Sequence, residues 1–436
     1  GVSAILLTAA LLKMDGHTGS FFPQFSWRWT KSAADELPPL LGKLATEGKG
    51  IETGGPENFP RFLGAKMSNW VSGELLAEDW FENPPKELWR KQIGEGWSAF
   101  SVAGGFAFTM EQRGEEEVLV CYELATGEAV WVHSEAVRFE ESMGDDGPRS
   151  TPTVAGGRVF ALGATGILNC HDARTGELIW GKDVLAEAGQ GVPTWAKSCS
   201  PLVVGERVIV TLGDKAEKNL AAFDVADGEL VWRAGDYKSS YASPVLATLV
   251  GTEQVVAIQA KSVDGYGLDD GKILWSFPIG NPQGNCASPL VIGNRVLTGA
   301  GYGYGSHLIE IGENFEVEEL WHSRKLKPKF ADMVIHGEHV YGLDEGRLVC
   351  LSLEDGERLW RGTNFGHGQL LGVGEHLIVQ SERGGVYVVE ANPDSEEIVS
   401  EFDALDRRTW NHPVLAGKIL LVRNDREAIA FEYPGR

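Results

Sequence analysis

Eleven side chains hold most of the chemistry that this 436-residue chain offers in one recurring context: Trp97, Asp146, Arg149, Trp195, Lys197, Tyr241, Asp332, His367, Gln369, Trp410 and His412. Each falls at or just before the start of a predicted strand, in loops that recur along the chain. Cationic donors, carboxylate acceptors, imidazoles and four aromatic rings in such a rim suit recognition of a polar ligand or a peptide strand. The plain alternative is a set of solvated loops, since loops are polar by default. No Ser, His and Asp spacing stands out for nucleophilic catalysis, and no catalytic residue is assigned. His336-Gly337-Glu338-His339 matches HxxH, whose ligands want a helix face, yet it falls at a hairpin tip, so no metal site is expected. The Gly-rich stretch 299–305 lacks GxGxxG spacing and opens no helix, so it is no dinucleotide loop; Tyr302 or Tyr304 could reach the rim. Cys121, Cys170, Cys199, Cys286 and Cys350 are odd in number and mutually distant, which excludes a CxxC site and a dense disulfide framework. Buried thiols acting as small hydrophobes are expected. The acidic runs 115–117 and 394–397 read as solvated turns.

The elements that must position the rim come from a repeated phrase. It runs from Val118 to Trp131, then Ile167 to Trp180, Asn219 to Trp232, Ser262 to Trp275 and Arg347 to Trp360. A copy without the glycine ends at Trp321, and one without the tryptophan spans Val386 to Val399. Each phrase reads as two short strands around a turn whose last residue, such as Gly127 or Gly176, needs positive φ. Four residues later comes a tryptophan that can dock on the neighbouring unit: Trp89, Trp131, Trp180, Trp232, Trp275, Trp321 and Trp360 are the blade-docking set. A second hairpin precedes each phrase, starting at Thr151-Pro152, Ser200-Pro201, Ser243-Pro244, Ser288-Pro289 and His412-Pro413, where a first-residue proline is tolerated. Two hairpins make a four-stranded unit, recurring every 39 to 52 residues by Trp-to-Trp distance, which is the signature of a β-propeller.

Seven units end at Trp131, Trp180, Trp232, Trp275, Trp321, Trp360 and near Val399. The stretch 413–433 holds three strands and lacks the fourth, while 86–91, with Trp89, is an orphan of the missing type. Their pairing predicts an all-β, eight-bladed propeller over 86–436, four antiparallel strands per blade, closed by its N- and C-terminal strands. Seven blades is the alternative if the unit at 386–402 is too degenerate. Residues 1–85 are then an extension packed on the propeller through aromatics such as Trp27, Trp29, Phe59, Phe62, Trp70, Trp80 and Phe81, with a short helix opening at Ser32–Glu36 before Pro38-Pro39. The chain starts at Gly1 rather than Met, and its apolar opening 1–12 is too short to span a bilayer, which takes about 20 residues. It is expected to be the stub of a signal or membrane segment, the alternative being a strand or helix docked on the main body.

Composition narrows the function classes. With 43% hydrophobic and 23% charged residues the chain can bury a large core, which excludes a disordered or multi-span membrane protein. Its net charge of −23 repels phosphate backbones, so nucleic acid is not an expected partner.

The repeat, with its Gly-x-x-x-Trp ending, resembles the pyrroloquinoline-quinone (PQQ) repeat of quinoprotein-like propellers. The wider order is similar to bacterial PQQ-binding-like β-propeller repeat proteins, on Gly94-x-Gly96-Trp97, Gly147 to Pro152, Val192 to Trp195, Gly301-Tyr302-Gly303 and Trp410-x-x-Pro413. The segment Pro23 to Trp29 resembles one found ahead of the propeller in membrane-tethered versions. The superfamily, quinoprotein alcohol dehydrogenase-like, holds both PQQ enzymes and quinone-free scaffolds such as the outer-membrane assembly lipoprotein, so the resemblance fixes fold more firmly than function. It implies a non-catalytic binding or scaffolding module for a protein or small ligand at the funnel face, needing no cofactor. The chain is expected to be monomeric and exported to the periplasm or cell envelope, tethered to a membrane in native form. The enzyme alternative is a PQQ- and Ca²⁺-dependent dehydrogenase of alcohols or sugars; this chain lacks the adjacent cysteine pair of many such enzymes. A third reading is carbohydrate or polymer binding by the aromatic rim.

Overall fold

Every predicted phrase folds as the outer hairpin of a four-stranded antiparallel sheet. The structure, a computed structural model, describes residues 11–31, 37, 40, 51–72, 80, 84–215, 217–280 and 284–433. Among these lie eight four-stranded antiparallel units and one separate two-stranded hairpin. We number the units 1 to 8: seven span 101–135, 153–183, 202–234, 245–278, 290–323, 334–364 and 369–403, and the eighth joins 414–432 to 86–92. The degenerate stretch 386–402 thus supplies two full strands of sheet 7. The two middle strands of each unit are buried along most of their length, as in Glu116–Glu123, where every residue between the two ends is buried, because neighbouring sheets cover both faces. Outer strands alternate; in Leu178–Asp183 only Trp180 of the first three residues is buried.

One contact recurs between sheets. The indole Nε1 of Trp89, Trp131, Trp180, Trp232, Trp321 and Trp360 donates to the carbonyl of Leu124, Ala173, Val225, Leu268, Leu353 and Asn392 in the next sheet, at 2.8–3.0 Å. In five of these docks the glycine of the receiving hairpin lies flat on the indole. At Gly176 (φ +75°) a Cβ would stand 2.6 Å from Cδ2 of Trp131, so both the backbone conformation and the stacked ring demand glycine. Trp275 departs from the prediction. Its Nε1 turns back to Gln254 of its own sheet (2.6 Å), and the following hairpin carries Phe315 where the five glycine docks carry glycine. Its ring still shares a buried cluster with Val296, Ile309 and Ile311 of sheet 5.

The first and last strands of the repeat region meet as the orphan segment predicted. Lys86–Gln92 pairs antiparallel with Glu427–Glu432, with Trp89 opposite Ala430. Phe402 of sheet 7 packs edge-on against Phe431 of sheet 8 at 5.0 Å, and Trp89 of sheet 8 docks on sheet 1, so contacts return from the last sheet to the first.

The described parts of 1–85 lie against this framework at two places. Leu12–His17 and Pro23–Trp27 form the separate hairpin, whose tip reaches the face where outer strands connect to the next inner strand. Residues 56–71 cross the inner strands from the other side: Phe59 bridges Val102, Pro60 accepts from Val154, and Trp70–Val71 runs parallel to Gly372–Val373. Leu12, the last residue of the apolar opening, begins the first strand of that hairpin. The predicted stub at 1–10, the helix at Ser32–Glu36, Pro38-Pro39 and Phe81 lie outside the described residues. No helix among the described residues is long and apolar enough to cross a membrane. One acidic run is corrected: Glu117 is buried in a strand, where its carboxylate accepts from the Ala164 amide, rather than solvated in a turn. His336 and His339 flank a tight turn as expected, with His336 stacked on Trp70.

The Trp–Gly dock generates a graded test. Gly176→Ala is expected to cost about 2–3 kcal/mol, from left-handed backbone strain plus the clash with Trp131. Gly156→Ala, also at positive φ but with open space around its Cβ, is expected to cost only about 1–2 kcal/mol. Urea midpoints of the two variants check the difference; equal losses would dismiss the dock as the cause.

Candidate functional site

Where the inner strands begin, the sheets surround a cavity of about 190 Å³. Eight of the eleven predicted rim residues line it: Trp97, Arg149, Trp195, Tyr241, Asp332, Gln369, Trp410 and His412. They converge because each sits at or ahead of the start of an inner strand, so the repeat itself delivers side chains from successive sheets to one place. Ser198, Cys286 and Phe330 arrive by the same rule at their own sheets.

Three predicted residues fall elsewhere. Asp146 turns into its own loop, accepting from Arg138 and the Glu141 amide, both at 3.2 Å. Lys197 is buried under sheet 3, donating to Thr211 Oγ1 (2.8 Å) and the Leu212 carbonyl (2.6 Å); one position from Ser198, it points the opposite way. His367 stands beside the cavity, 5.7 Å from the Phe330 ring, and backs the N-terminal hairpin.

The cavity walls are aromatic and their polar groups are mostly committed. Trp97 and Trp410 lie 4.9 Å apart, with the Arg408 guanidinium against both. Trp195 and Tyr241 pair at 5.5 Å. Arg149 donates to the carbonyls of Gly144 and Asp145, each at 2.8 Å, and burial lowers its pKa to about 10. Gln369 Nε2 donates to the carbonyls of Phe330 and Trp410, leaving Oε1 buried without a partner. Asp332 accepts from the Ser288 amide at 2.6 Å, and burial pushes its carboxyl up to about 7. His412 bonds Asn69 Oδ1 through Nε2 (2.7 Å); burial lowers its pKa to about 4, so the ring is neutral and Nε2 is the donor. Desolvation pushes the Cys286 thiol up to about 12, which keeps it from acting as a thiolate. Among the described residues no hydrogen bond joins two of these titratable side chains. The walls can therefore hold a ligand by stacking and by a few polar atoms, and they present no activated nucleophile or base pair.

Both ends of the cavity are lined by groups that sequence reasoning did not place. Phe62 comes from below, 5.5 Å from the His412 ring. His17, Thr18, Gly19 and Phe21 of the hairpin tip form the roof. Lys329, Glu382 and Arg408 hold that tip; their roles depend on where the extension lands, which no repeat position encodes.

One other cluster could be considered for a metal. His307, Glu319 and His322 bring ligand atoms within 4.8 Å of one another on sheet 5. The two imidazoles stack 4.1 Å apart and only 5° from parallel, so their in-plane lone pairs run side by side instead of converging.

The buried carboxyl yields a pH dependence. The folded-state pKa of Asp332 lies above its ordinary 3.8, at about 7, so the native state keeps a proton that the unfolded chain has lost between those values. Its contribution is full below the unfolded pKa and is lost as pH rises through the folded one, by up to about 1.4 kcal/mol per pH unit. Asp332→Asn is expected to match wild type within about 1 kcal/mol near pH 4 and to gain on it progressively toward pH 8. Urea midpoints at pH 4, 5.5 and 8 check this; a constant offset would mean that Asp332 ionises freely.

Comparisons with known proteins agree with this architecture. The curated outer membrane protein assembly factor BamB of Shewanella oneidensis is 22% identical over 268 residues, which cover 57% of this chain and 66% of that protein. BamB from Moraxella catarrhalis superposes with a TM-score of 0.61 at 15% identity, covering 80% of this chain and all of that one. A europium-containing methanol dehydrogenase gives 0.65 at 10% identity, over 84% of this chain and 90% of its own. The quinohemoprotein alcohol dehydrogenase ADHIIG of Pseudomonas putida gives 0.63 at 12% identity, over 87% and 81%. At these identities the solved structures speak for the propeller fold alone. The profile of the family described as outer membrane protein assembly factor BamB matches residues 114–362, more than half of the chain, and the chain belongs to that PQQ-repeat propeller family.

Proposed function

We propose that this chain is an eight-bladed, non-catalytic propeller that binds a protein partner at its funnel face, in the cell envelope. Eight four-stranded units and the pairing of 86–92 with 427–432 support the blade count. The observation that carries the binding role is the cavity wall itself: aromatic rings beside polar groups that are neutral or already hydrogen-bonded. An assembly-factor relative favours a protein as the partner, and its name favours an envelope location. The exposed Phe22, Phe25, Trp27 and Trp29 near the N-terminal side suit tethering at a membrane surface.

The enzyme alternative asks for a different donor set. Ca²⁺ takes about six to eight oxygen ligands. Among the described residues, Asp332 is the one carboxylate on the cavity wall, and its Oδ1 accepts the Ser288 amide. PQQ carries three carboxylates, whereas Arg149 is the one cationic side chain on that wall and its terminal nitrogens are committed to loop carbonyls. These residues do not fit the pair.

Two measurements test the reading. Adding PQQ and Ca²⁺ to the purified protein is expected to give no tightly held quinone absorbance and no dye-linked oxidation of alcohols or sugars; uptake with turnover would establish the enzyme. Benzoylphenylalanine in place of Trp195 is expected to capture a protein on illumination of cells, while the same group in place of Leu230 on an exposed outer strand captures none. Identical patterns at both positions would remove the funnel face from the binding role.

A further inference from the structure

The N-terminal hairpin tip does more than rest on the propeller: two charged side chains read both backbone groups of a single residue. The Gly19 amide donates to Glu382 Oε1 at 2.5 Å, and the Gly19 carbonyl accepts from Lys329 Nζ at 2.5 Å. A Cβ on Gly19 would overlap the His367 ring, so this seat admits glycine only. Two residues on, the Phe21 ring lies 4.1 Å from Lys329 Nζ and 6.3 Å from the Tyr302 ring. Arg408 donates to the His17 carbonyl, and Ser20 Oγ lies 3.4 Å from His367 Nε2. Lys329, Glu382 and Arg408 are all buried, at 4%, 9% and 8% exposure, and come from three separate stretches of the ring. Buried charges aimed at backbone groups, beside a glycine-only surface and an aromatic seat, are the parts of a peptide receptor.

The occupant is built to leave. Among the described residues the hairpin pairs with no other strand, and an isolated two-stranded hairpin is marginal in water. Its tip is tied internally by a short turn, Phe21 N to Thr18 O at 2.8 Å, that any β-turn can copy. Its far side exposes large rings, Phe22 at 69% and Trp29 at 64%, so the propeller covers only part of it. Withdrawal of the tip also removes the cavity's roof, which couples receptor vacancy to cavity access.

We infer that the tip is a resident pseudo-ligand: the funnel mouth is a receptor for a Gly-x-aromatic β-turn presented by a partner protein, and His17–Phe21 occupies it until displaced. This rests on the funnel face being the binding face and names what that face recognises.

The probe is a fluorescein-labelled peptide of the sequence 12–27, added to full-length protein and followed by anisotropy. Gly19→Val in the protein is expected to expel the tip, raise hydrogen exchange across 12–27, and bind the peptide at least tenfold more tightly than wild type does. Phe21→Ser, at a half-exposed ring, serves as a second expelling variant should Gly19→Val disturb folding, and the same gain is expected. Adding Lys329→Met to either variant is expected to abolish binding, and a peptide carrying valine for Gly19 is expected not to bind. Equal affinity for wild type and variants, an unchanged exchange pattern, or indifference to Lys329→Met would overturn the inference. Peptide exchange without any adduct at position 195 in cells would fail the protein-partner reading and leave the plug standing. An adduct without peptide exchange would do the reverse.

Discussion

The fold depends on an indole laid against a glycine. Six of the eight outer strands carry a tryptophan whose Nε1 satisfies a carbonyl of the next sheet, and in five of these the ring covers a turn glycine there. The contact is both hydrophobic and polar: ring burial supplies non-directional attraction, while the hydrogen bond fixes lateral position. Because the carbonyl precedes the glycine by a constant offset in the turn, repeating the dock repeats the rotation between sheets. A ring follows from a local rule applied over and over, with no long-range instruction except at the closing pair.

Where the rule lapses, other contacts take over. The turn of sheet 5 that faces sheet 4 lacks the docking glycine, and Trp275 satisfies its Nε1 on Gln254 while its ring stays in a shared cluster of aliphatic side chains. Trp360 finds the Asn392 carbonyl although Asn392-Pro393-Asp394-Ser395 contains no glycine. Between sheets 7 and 8 no tryptophan remains, and Phe402 meets Phe431 edge-on, with Trp80 of the extension edge-on to Phe402. The least regular interface is therefore the one that borrows a side chain from outside the repeat.

Legibility in the sequence tracks this division between local rule and long-range landing. The phrases, the docking tryptophans and the closing role of Trp89 were readable because each is a short-range pattern of turn, alternation and ring. The cavity lining was readable for the same reason: one position ahead of each inner strand faces the centre, which collected Trp97, Arg149, Tyr241 and Trp410 correctly. Lys197 and Asp146 were misplaced because loop residues one step apart point in opposite directions, and Asp146 found Arg138 within its own loop. Glu117 looked like part of a solvated acidic turn, but the strand starts at Glu116, two residues before its pattern suggested, and carries Glu117 into the interior. Lys329, Glu382 and Arg408 gave no signal at all, since a charged residue in a loop looks the same whether it faces water or a peptide.

The extension answers a problem that the ring creates. Sheets packed radially meet neighbours on both faces but leave inner strands facing a central void, and unfilled space forfeits dispersion contacts along its whole lining. Residues 56–71 fill one end with Phe59, Phe62 and Leu63, and Asn69 satisfies the Met333 and Leu370 carbonyls and His412 at once. That end is held by strand pairing to several sheets and by hydrogen bonds that are neutral apart from the one from Arg61 to the Val203 carbonyl, the features of a permanent part of the core. The other end is held by charges on a lone hairpin. A desolvated Lys329 or Glu382 is costly whenever its partner departs, so the roof can leave only when water or another backbone takes its place. The two closures thus differ in kind: one completes the core, and the other makes exchange at the funnel mouth conditional on a substitute.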